Sequence, residues 1–419
     1  MDEQYKRLKM NSYTQILASE VSHDGKYLIF GSNFGYLNIY SVSELRDLQN
    51  QTNNLNPIRK VQITKDPIYC IHSSEENIFI GHPNGVSMYN FQTLLRGKSE
   101  KPEPSLLFLY ETVTKRNRKT IKCLHEANGI AYDEETKRLY AATGSPKVCV
   151  WDTQNGEVVE ELDGHFKYLY EIKFVPPSKE QFITGSEDGT VGVWDKLNSK
   201  ILGKFDLINC KYIDNENENE NKSLSTTTKT NNNNCYVNCF DIDKDGRWLV
   251  ASAGDLKYFC LWQFQTRTLF AIYQTSGTTS YLKFSNGQIL SIGNEGFLYK
   301  WSLDGKLLQR IRVFSDPLSL NSKMPIPALF SIVFIPIKNT TTEDFEKIES
   351  NKSSKIQTEN DLDLLVSRKR KLDQIIQFVE KENQIEGSFA ITGNSVEIPI
   401  FLGQESASFH LVFDNWSRK

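Results

Sequence analysis

The chain has 419 residues and a formal net charge of -3, with 39% hydrophobic and 24% charged residues, which is material for a sizeable core. This length suits two or three ordinary domains, or one large all-β ring or barrel. The small acid excess and a pI near 6.2 exclude a global field that would draw in nucleic acid or an anionic membrane, so any such contact needs a local patch.

No apolar run approaches the roughly eighteen residues of a membrane span, and the opening MDEQYKRLKM lacks the apolar stretch of a signal peptide. The expected location is therefore cytosol or nucleus. Seven cysteines, set in runs such as IKCL, KVCVW and YFCLW, read as small core residues of a reducing compartment, without disulfides.

After an N-terminal extension over residues 1–11, one unit recurs along 12–419. Its hairpins are YLIFGSNFGYLNIY (27–40), NIFIGHPNGVSMY (77–89), RLYAATGSPKVCVW (138–151) and QFITGSEDGTVGVW (181–194), then WLVASAGDLKYFCLW (248–262), QILSIGNEGFLYKW (288–301) and SFAITGNSVEIPIF (388–401). The NFG, PNG, EDG and NEG between the runs tolerate positive φ and close tight turns. An apolar run precedes each hairpin, as in TQILASEVS and LYEIKFV, and a further one follows most, as in VVEEL, KILGKF and TLFAIY. Four short strands at a period of about forty residues predict an all-β fold, a seven-bladed β-propeller. Inner runs such as LYAAT and FITGS are apolar or small at successive positions, as expected of a sheet covered on both faces. Closure of the ring is left open between packing of the first and last blades and a contribution from residues before Ser12.

Two segments interrupt the repeat. Residues 214–234, DNENENENKSLSTTTKTNNNN, have the composition of a disordered low-complexity loop. Residues 338–387 form a charged insertion within the seventh blade, where Leu362, Leu365, Leu372, Ile376 and Val379 fall near helical spacing. A partly helical insert follows, with Leu365, Leu372, Ile376 and Val379 as a candidate partner helix. Within it Arg368, Lys369, Arg370 and Lys371 are a candidate nuclear-import cluster, a solvated rim being the alternative. Lys115, Arg116, Arg118 and Lys119 are a candidate basic loop for phosphates or an acidic partner, against an ordinary solvated connection.

The stretch TGSEDGTVGVWDK, Thr184 to Lys196, raises the question of acid chemistry at Glu187 and Asp188. A calcium loop needs oxygen ligands at alternate positions over about twelve residues, but this chain turns at once into TVGVW. Adjacent carboxylates in a tight hairpin point apart and do not flank a substrate. His23, His72, His82, His125, His165 and His410 show no HExxH spacing, and Cys235 and Cys239 form a CxxxC without a second pair. No GxxxxGK[ST], GxGxxG or GxSxG occurs. The expectation is a protein that is not an enzyme and has no metal, cofactor or small-molecule substrate.

Gly164 to Asp195, GHFKYLYEIKFVPPSKEQFITGSEDGTVGVWD, resembles a near-complete repeat of the WD-repeat family. The resemblance implies a buried hydrogen-bonded structural tetrad, here His165, Ser186 (with Thr184 as the alternative), Asp188 and Trp194, whose charge-assisted bonds are each worth about 1.5–3 kcal/mol. Trp262 and Trp301 lack the following Asp, and Tyr40, Tyr89 and Phe401 stand in for Trp elsewhere, so the pattern is strongest in the third and fourth blades.

Beyond single repeats, three regions are similar to the THO complex subunit 6 family. They are LKMNSYTQILASEVSHDGKYLIFGSNFGYLNIYSV at the start, the 164–195 stretch with DGRWLVASAGDLKYFCLWQF and ILSIGNEGFLYKWSLDGKL, and ITGNSVEIPIFLGQESASFHLVF at the end. The two insertions depart from that family's compact form. The resemblance implies a non-enzymatic nuclear scaffold of the transcription-export complex, joined to other THO subunits including the coiled-coil subunits 5 and 7. It implies action in mRNA processing, splicing and export, with mRNA contacted indirectly. The competing reading is a substrate receptor or adaptor of a cullin-type ubiquitin ligase. Such receptors carry Arg two positions after the Trp-Asp dipeptide, where Gln154 and Leu197 stand here.

Overall fold

The computed structural model describes residues 14–47, 56–116, 119–214, 235–254, 256–313, 329–335, 388–393, 397–402 and 409–412. The predicted hairpins form where turn residues meet paired apolar runs. In the EDG turn Gly189 takes φ 84°, a left-handed conformation that costs glycine nothing.

The first four-stranded sheet is β1 (Ile16–Val21), β2 (Tyr27–Ser32), β3 (Tyr36–Ser41) and β4 (Arg59–Gln62). The second is β5 (Cys70–Ser73), β6 (Asn77–His82), β7 (Gly85–Asn90) and β8 (Leu106–Phe108). A two-stranded ribbon, β9 (Glu111–Arg116) and β10 (Lys119–Leu124), precedes the next sheet of β11 (Ala127–Asp133), β12 (Arg138–Thr143), β13 (Lys147–Asp152) and β14 (Val158–Asp163). Then follows a five-stranded sheet: β15 (Leu169–Phe174), β16 (Gln181–Ser186), β17 (Thr190–Asp195), β18 (Lys200–Asp206) and β19 (Lys211–Asp214).

Four-stranded order resumes with β20 (Val237–Ile242), β21 (Trp248–Ala253), β22 (Tyr258–Gln263) and β23 (Thr268–Gln274). Next come β24 (Thr279–Ser285), β25 (Gln288–Gly293), β26 (Phe297–Ser302) and β27 (Leu307–Arg312). The last sheet is β28 (Leu329–Ile335), β29 (Ser388–Gly393), β30 (Glu397–Leu402) and β31 (Phe409–Val412). All described pairings are antiparallel between strands adjacent in sequence.

The sequence predicts seven four-stranded blades; the described residues form six four-stranded blades and one five-stranded sheet, and this corrects the expected fold class. The difference lies at β15–β19, where the chain turns back after β18 and adds a fifth strand. Tyr212 of β19 packs on Phe205 at 4.9 Å, and the Arg267 guanidinium of the next sheet lies 5.3 Å from the Tyr212 ring. The first contact lies within the sheet and the second reaches the next one, so a local reading of KYID misses both. The partly helical insert expected over 338–387 falls outside the described residues. Only two six-residue helices occur among the described residues, α1 (Val42–Asp47) and α2 (Phe91–Arg96), both joining third to fourth strands in the first two sheets. Asn90 caps α2 by accepting from the Thr93 N–H at 3.0 Å. Residues 338–387 lie outside the described residues, as do 215–234.

The core is a series of layers between neighbouring sheets. In four successive sheets the third-strand tryptophan faces the sheet before it. Trp151 meets Phe108 at 5.8 Å, and Trp262 meets Phe205 at 5.3 Å. Trp301 meets Phe259 and Tyr273 at 5.7 Å, while Trp194 packs with Val150 and Leu162. Truncating such a buried ring costs about 3–5 kcal/mol. The first strands are consecutive neighbours around the ring, and β1 packs on β28 and β29, with Ala390 in the same cluster as Ile16, Leu28 and Phe30. Among the described residues the first sheet packs against the last, and the residues before Ser12 lie outside them.

Candidate protein-interaction face

The tetrad stretch resolves into a relay in which each donor has one acceptor. The Trp194 Nε1–H donates to Thr184 Oγ1 at 2.8 Å, Thr184 Oγ1 meets His165 Nε2 at 2.8 Å, and His165 Nδ1 meets Asp188 Oδ2 at 2.8 Å. With Nδ1–H donating to the carboxylate, Nε2 accepts from the Thr184 hydroxyl, and one ring satisfies both neighbours. Burial alone would raise the Asp188 carboxyl. Hydrogen bonds from His165 and Thr190, with the Lys204 charge nearby, instead hold it well below the usual carboxylate range.

Thr184, and not Ser186, is therefore the hydroxyl of the relay. Ser186 Oγ donates to the Tyr168 carbonyl at 2.9 Å and accepts from the Asp188 N–H at 3.2 Å. Thr184 pairs with Gly192, where a Cβ would stand 2.6 Å from His165 Nε2. The glycine makes the room. Other sheets carry fragments of the relay: Trp301 Nε1 donates to Ser291 Oγ at 2.9 Å, while Trp262 Nε1 and Ser252 Oγ have no partner among the described residues. Asp188 of the EDG turn is taken up by these bonds and holds the turn to His165 and Thr190.

The mouth of the ring offers contact chemistry. In six of the sheets the first strand, β1, β11, β15, β20, β24 or β28, begins with a register shift that leaves one residue bulged, and such a bulge re-aims a side chain. Bulged Asn128 donates to the Leu169 carbonyl at 2.9 Å and bulged Asn238 to that of Thr279, tying each sheet to the next. At the matching site stands Tyr170, whose ring lies 5.5 Å from that of Tyr236.

The residue just before the first strand is Tyr69, Glu126, Tyr168 and Tyr236 in four consecutive blades around the ring. The three tyrosines are 36%, 50% and 37% exposed. Burial pushes up the Tyr170 hydroxyl, helped by Glu187 and Glu126; burial, Glu126 and Asp66 do the same at Tyr69. Rings and carboxylates therefore form one arc, with Phe166 (78% exposed) beside it and Lys167 reaching Glu187 only at 3.9 Å. Tyrosine faces edged by carboxylates can seat basic and apolar side chains of a protein partner. Repeat-by-repeat alignment on IYCI, HEANGI, YLYEI and CYVNC would have found this arc in the sequence.

Deeper in the ring, charged side chains of the first strands pair across blades. Lys173 Nζ lies 2.8 Å from Glu171 Oε1 and 3.2 Å from Asp241 Oδ1, and donates to the Phe240 carbonyl at 2.6 Å. Lys283 stands 3.9 Å from the same Asp241 oxygen. Burial would lower the Lys173 ammonium, but Glu171 and Asp241 outweigh it and hold it well above its ordinary value. No group of three or more His, Cys, Asp or Glu among the described residues is arranged to hold a metal ion.

Lys115, Arg116 and Lys119 lie on the β9–β10 ribbon, with Lys119 opposite Arg116; Arg118 lies outside the described residues. The expected basic loop is in this part a paired ribbon, bearing exposed Val113 and Leu124. Leu365, Arg368, Lys369, Arg370, Lys371, Leu372, Ile376 and Val379 lie outside the described residues.

Residues 156–195 and 222–263 match the family of the WD domain, G-beta repeat. The chain is similar to THO complex subunit 6 of Homo sapiens, 23% identical over 327 residues that span 77% of this chain and 85% of the human protein. It is also similar to the THO complex subunit 6 homolog of Danio rerio, 21% identical over 310 residues, 74% of this chain and 86% of the fish protein. With THO complex subunit 6 of Arabidopsis thaliana it shares 25% identity over 186 residues, 44% of each chain.

Proposed function

We propose that this chain is a non-catalytic scaffold subunit of a nuclear THO complex, holding other THO subunits together during mRNA processing and export. The observation that carries the reading is the similarity to THO complex subunit 6, which spans 77% of this chain and 85% of the human protein. Buried hydrogen-bond relays and paired charges occupy the polar residues of the ring, while exposed tyrosines gather at its mouth. Such surfaces suit protein contact. In this reading the coiled-coil pair of subunits 5 and 7 is the docking partner, mRNA is reached through other subunits, and Arg368 to Lys371 supply nuclear import.

The test is affinity purification of the tagged chain from nuclear extract, with mass spectrometry, before and after nuclease treatment. THO subunits recovered equally in both arms are the expected result. Recovery of a cullin and its adaptor without THO subunits would overturn the reading, and loss of all THO subunits on nuclease treatment would replace a protein scaffold with an RNA tether.

A further inference from the structure

The five-stranded sheet carries a thiol pair that none of the chemistry above uses. Cys210 sits in the turn between β18 and β19 with φ 51°, half-buried, its thiol directed to the Leu207 carbonyl at 3.5 Å. Cys260 lies on β22 of the next blade and is fully buried. Their sulfurs are 3.7 Å apart. Tyr258 of the same strand donates to the Leu207 carbonyl at 3.1 Å, so this turn is already held against the neighbouring blade beside the two sulfurs.

We propose that Cys210 and Cys260 are a redox modification site, a dithiol that low-molecular-weight disulfides such as glutathione disulfide convert to a cross-link between the fifth-strand hairpin and the next blade. The two thiols differ in access. Cys210 is reachable from solvent, whereas burial pushes the Cys260 thiol up and leaves it inert toward outside reagents. The Cys210 thiolate attacks one sulfur of the small disulfide, forming a mixed disulfide and releasing one thiolate. Cys260 then gives its proton to that thiolate and attacks the Cys210 sulfur, expelling the second small thiolate, which takes the proton released when Cys210 ionised. The protein dithiol loses two hydrogens and two electrons, and the small disulfide becomes two thiols. The sulfurs must close to about 2.05 Å. The turn bearing Cys210 supplies the movement, because its residue lies outside both strand ladders. The inference is independent of the proposed function.

The experiment uses the full-length reduced chain, incubated under native conditions with glutathione disulfide, then analysed by intact mass and non-reducing peptide mapping. The expected product is lighter by about 2 Da, carries a Cys210–Cys260 peptide, and reverts with dithiothreitol. In Cys260→Ala a glutathione adduct accumulates on Cys210, and in Cys210→Ser neither adduct nor cross-link forms at Cys260. Cys260→Ser is a second probe should the alanine variant fold poorly, and the wild-type mapping is decisive by itself. A lasting glutathione adduct on wild-type Cys210 with Cys260 still reduced would overturn the proposal. So would a native cross-link that joins other cysteines, or a Cys210 that does not react.

Discussion

Replacing Asp188 with Ala removes the acceptor at the end of the buried relay. The carboxylate, 9% exposed, accepts from His165 Nδ1 at 2.8 Å, from Thr190 Oγ1 at 2.6 Å, and from the Thr190 and Phe166 N–H groups at 3.1 and 3.2 Å. Water can replace it at the exposed Phe166 amide but not at the His165 ring, which is fully buried. Counting His165 and the Thr190 hydroxyl at about 1.5 kcal/mol each gives a loss of about 3 kcal/mol, or a melting point lower by roughly 5 °C for a chain of this size. The depressed carboxyl adds a pH signature. A group held below its unfolded value contributes stability fully above the unfolded value, about 4, and loses it as pH falls through the folded one. Melts of wild type and Asp188→Ala, followed by circular dichroism from pH 8 to pH 3, should stay separated at and above pH 5 and narrow progressively as the pH falls below 4. A shift under 1 °C at neutral pH, or a gap that does not narrow in acid, would refute the relay as a source of stability.

The relay also ranks its tryptophans: Trp194→Phe removes the donor to Thr184 and should cost about 1–2 kcal/mol more than Trp262→Phe, because Trp262 Nε1 has no partner among the described residues to lose; equal denaturant midpoints would contradict this. Lys173→Met leaves Glu171 and Asp241 facing each other without their shared cation, and with Lys173 only 24% exposed the expected loss is about 2–3 kcal/mol by urea unfolding. A variant as stable as wild type would show that Lys283 suffices. Burial pushes the Glu20 carboxyl up to about 7, against the Val21 N–H and the Lys283 and Lys173 charges. A carboxyl raised in the folded state contributes stability below its unfolded value and loses it as pH rises through about 7. Wild type should therefore lose stability relative to Glu20→Gln between pH 5 and pH 7, and parallel melting curves across that range would count against the burial of its charge.

What could be read in the sequence was whatever local chemistry settles. Turn glycines and continuous apolar runs mark the hairpins, and His165, Asp188 and Trp194 stand out because GH, EDG and VWD are short motifs. Thr184 and Ser186 lie on the same face of one strand, so only the register that sets Thr184 opposite Gly192 decides between them. The fifth strand is four residues beside a polar run, and its pairing depends on Phe205 and Arg267, one a preceding strand and the other a later sheet. The helices hid for the opposite reason: VSELRD and FQTLLR are too short for periodicity, and only a cap such as Asn90 marks them. Glu171, Lys173, Asp241 and Lys283 look like ordinary surface charges until the ring brings β15, β20 and β24 together.

The central claim, a protein scaffold that acts at the mouth of the ring, is tested most directly with purified components. The full-length chain would be mixed with the coiled-coil pair of THO subunits 5 and 7 from the same cells and followed by size-exclusion chromatography with light scattering. A stoichiometric complex is predicted, weakened at least about tenfold by Tyr168→Ala with Tyr236→Ala while the melting point of the chain stays unchanged. A chain that elutes alone at micromolar concentration, or a complex indifferent to both tyrosines, would contradict it.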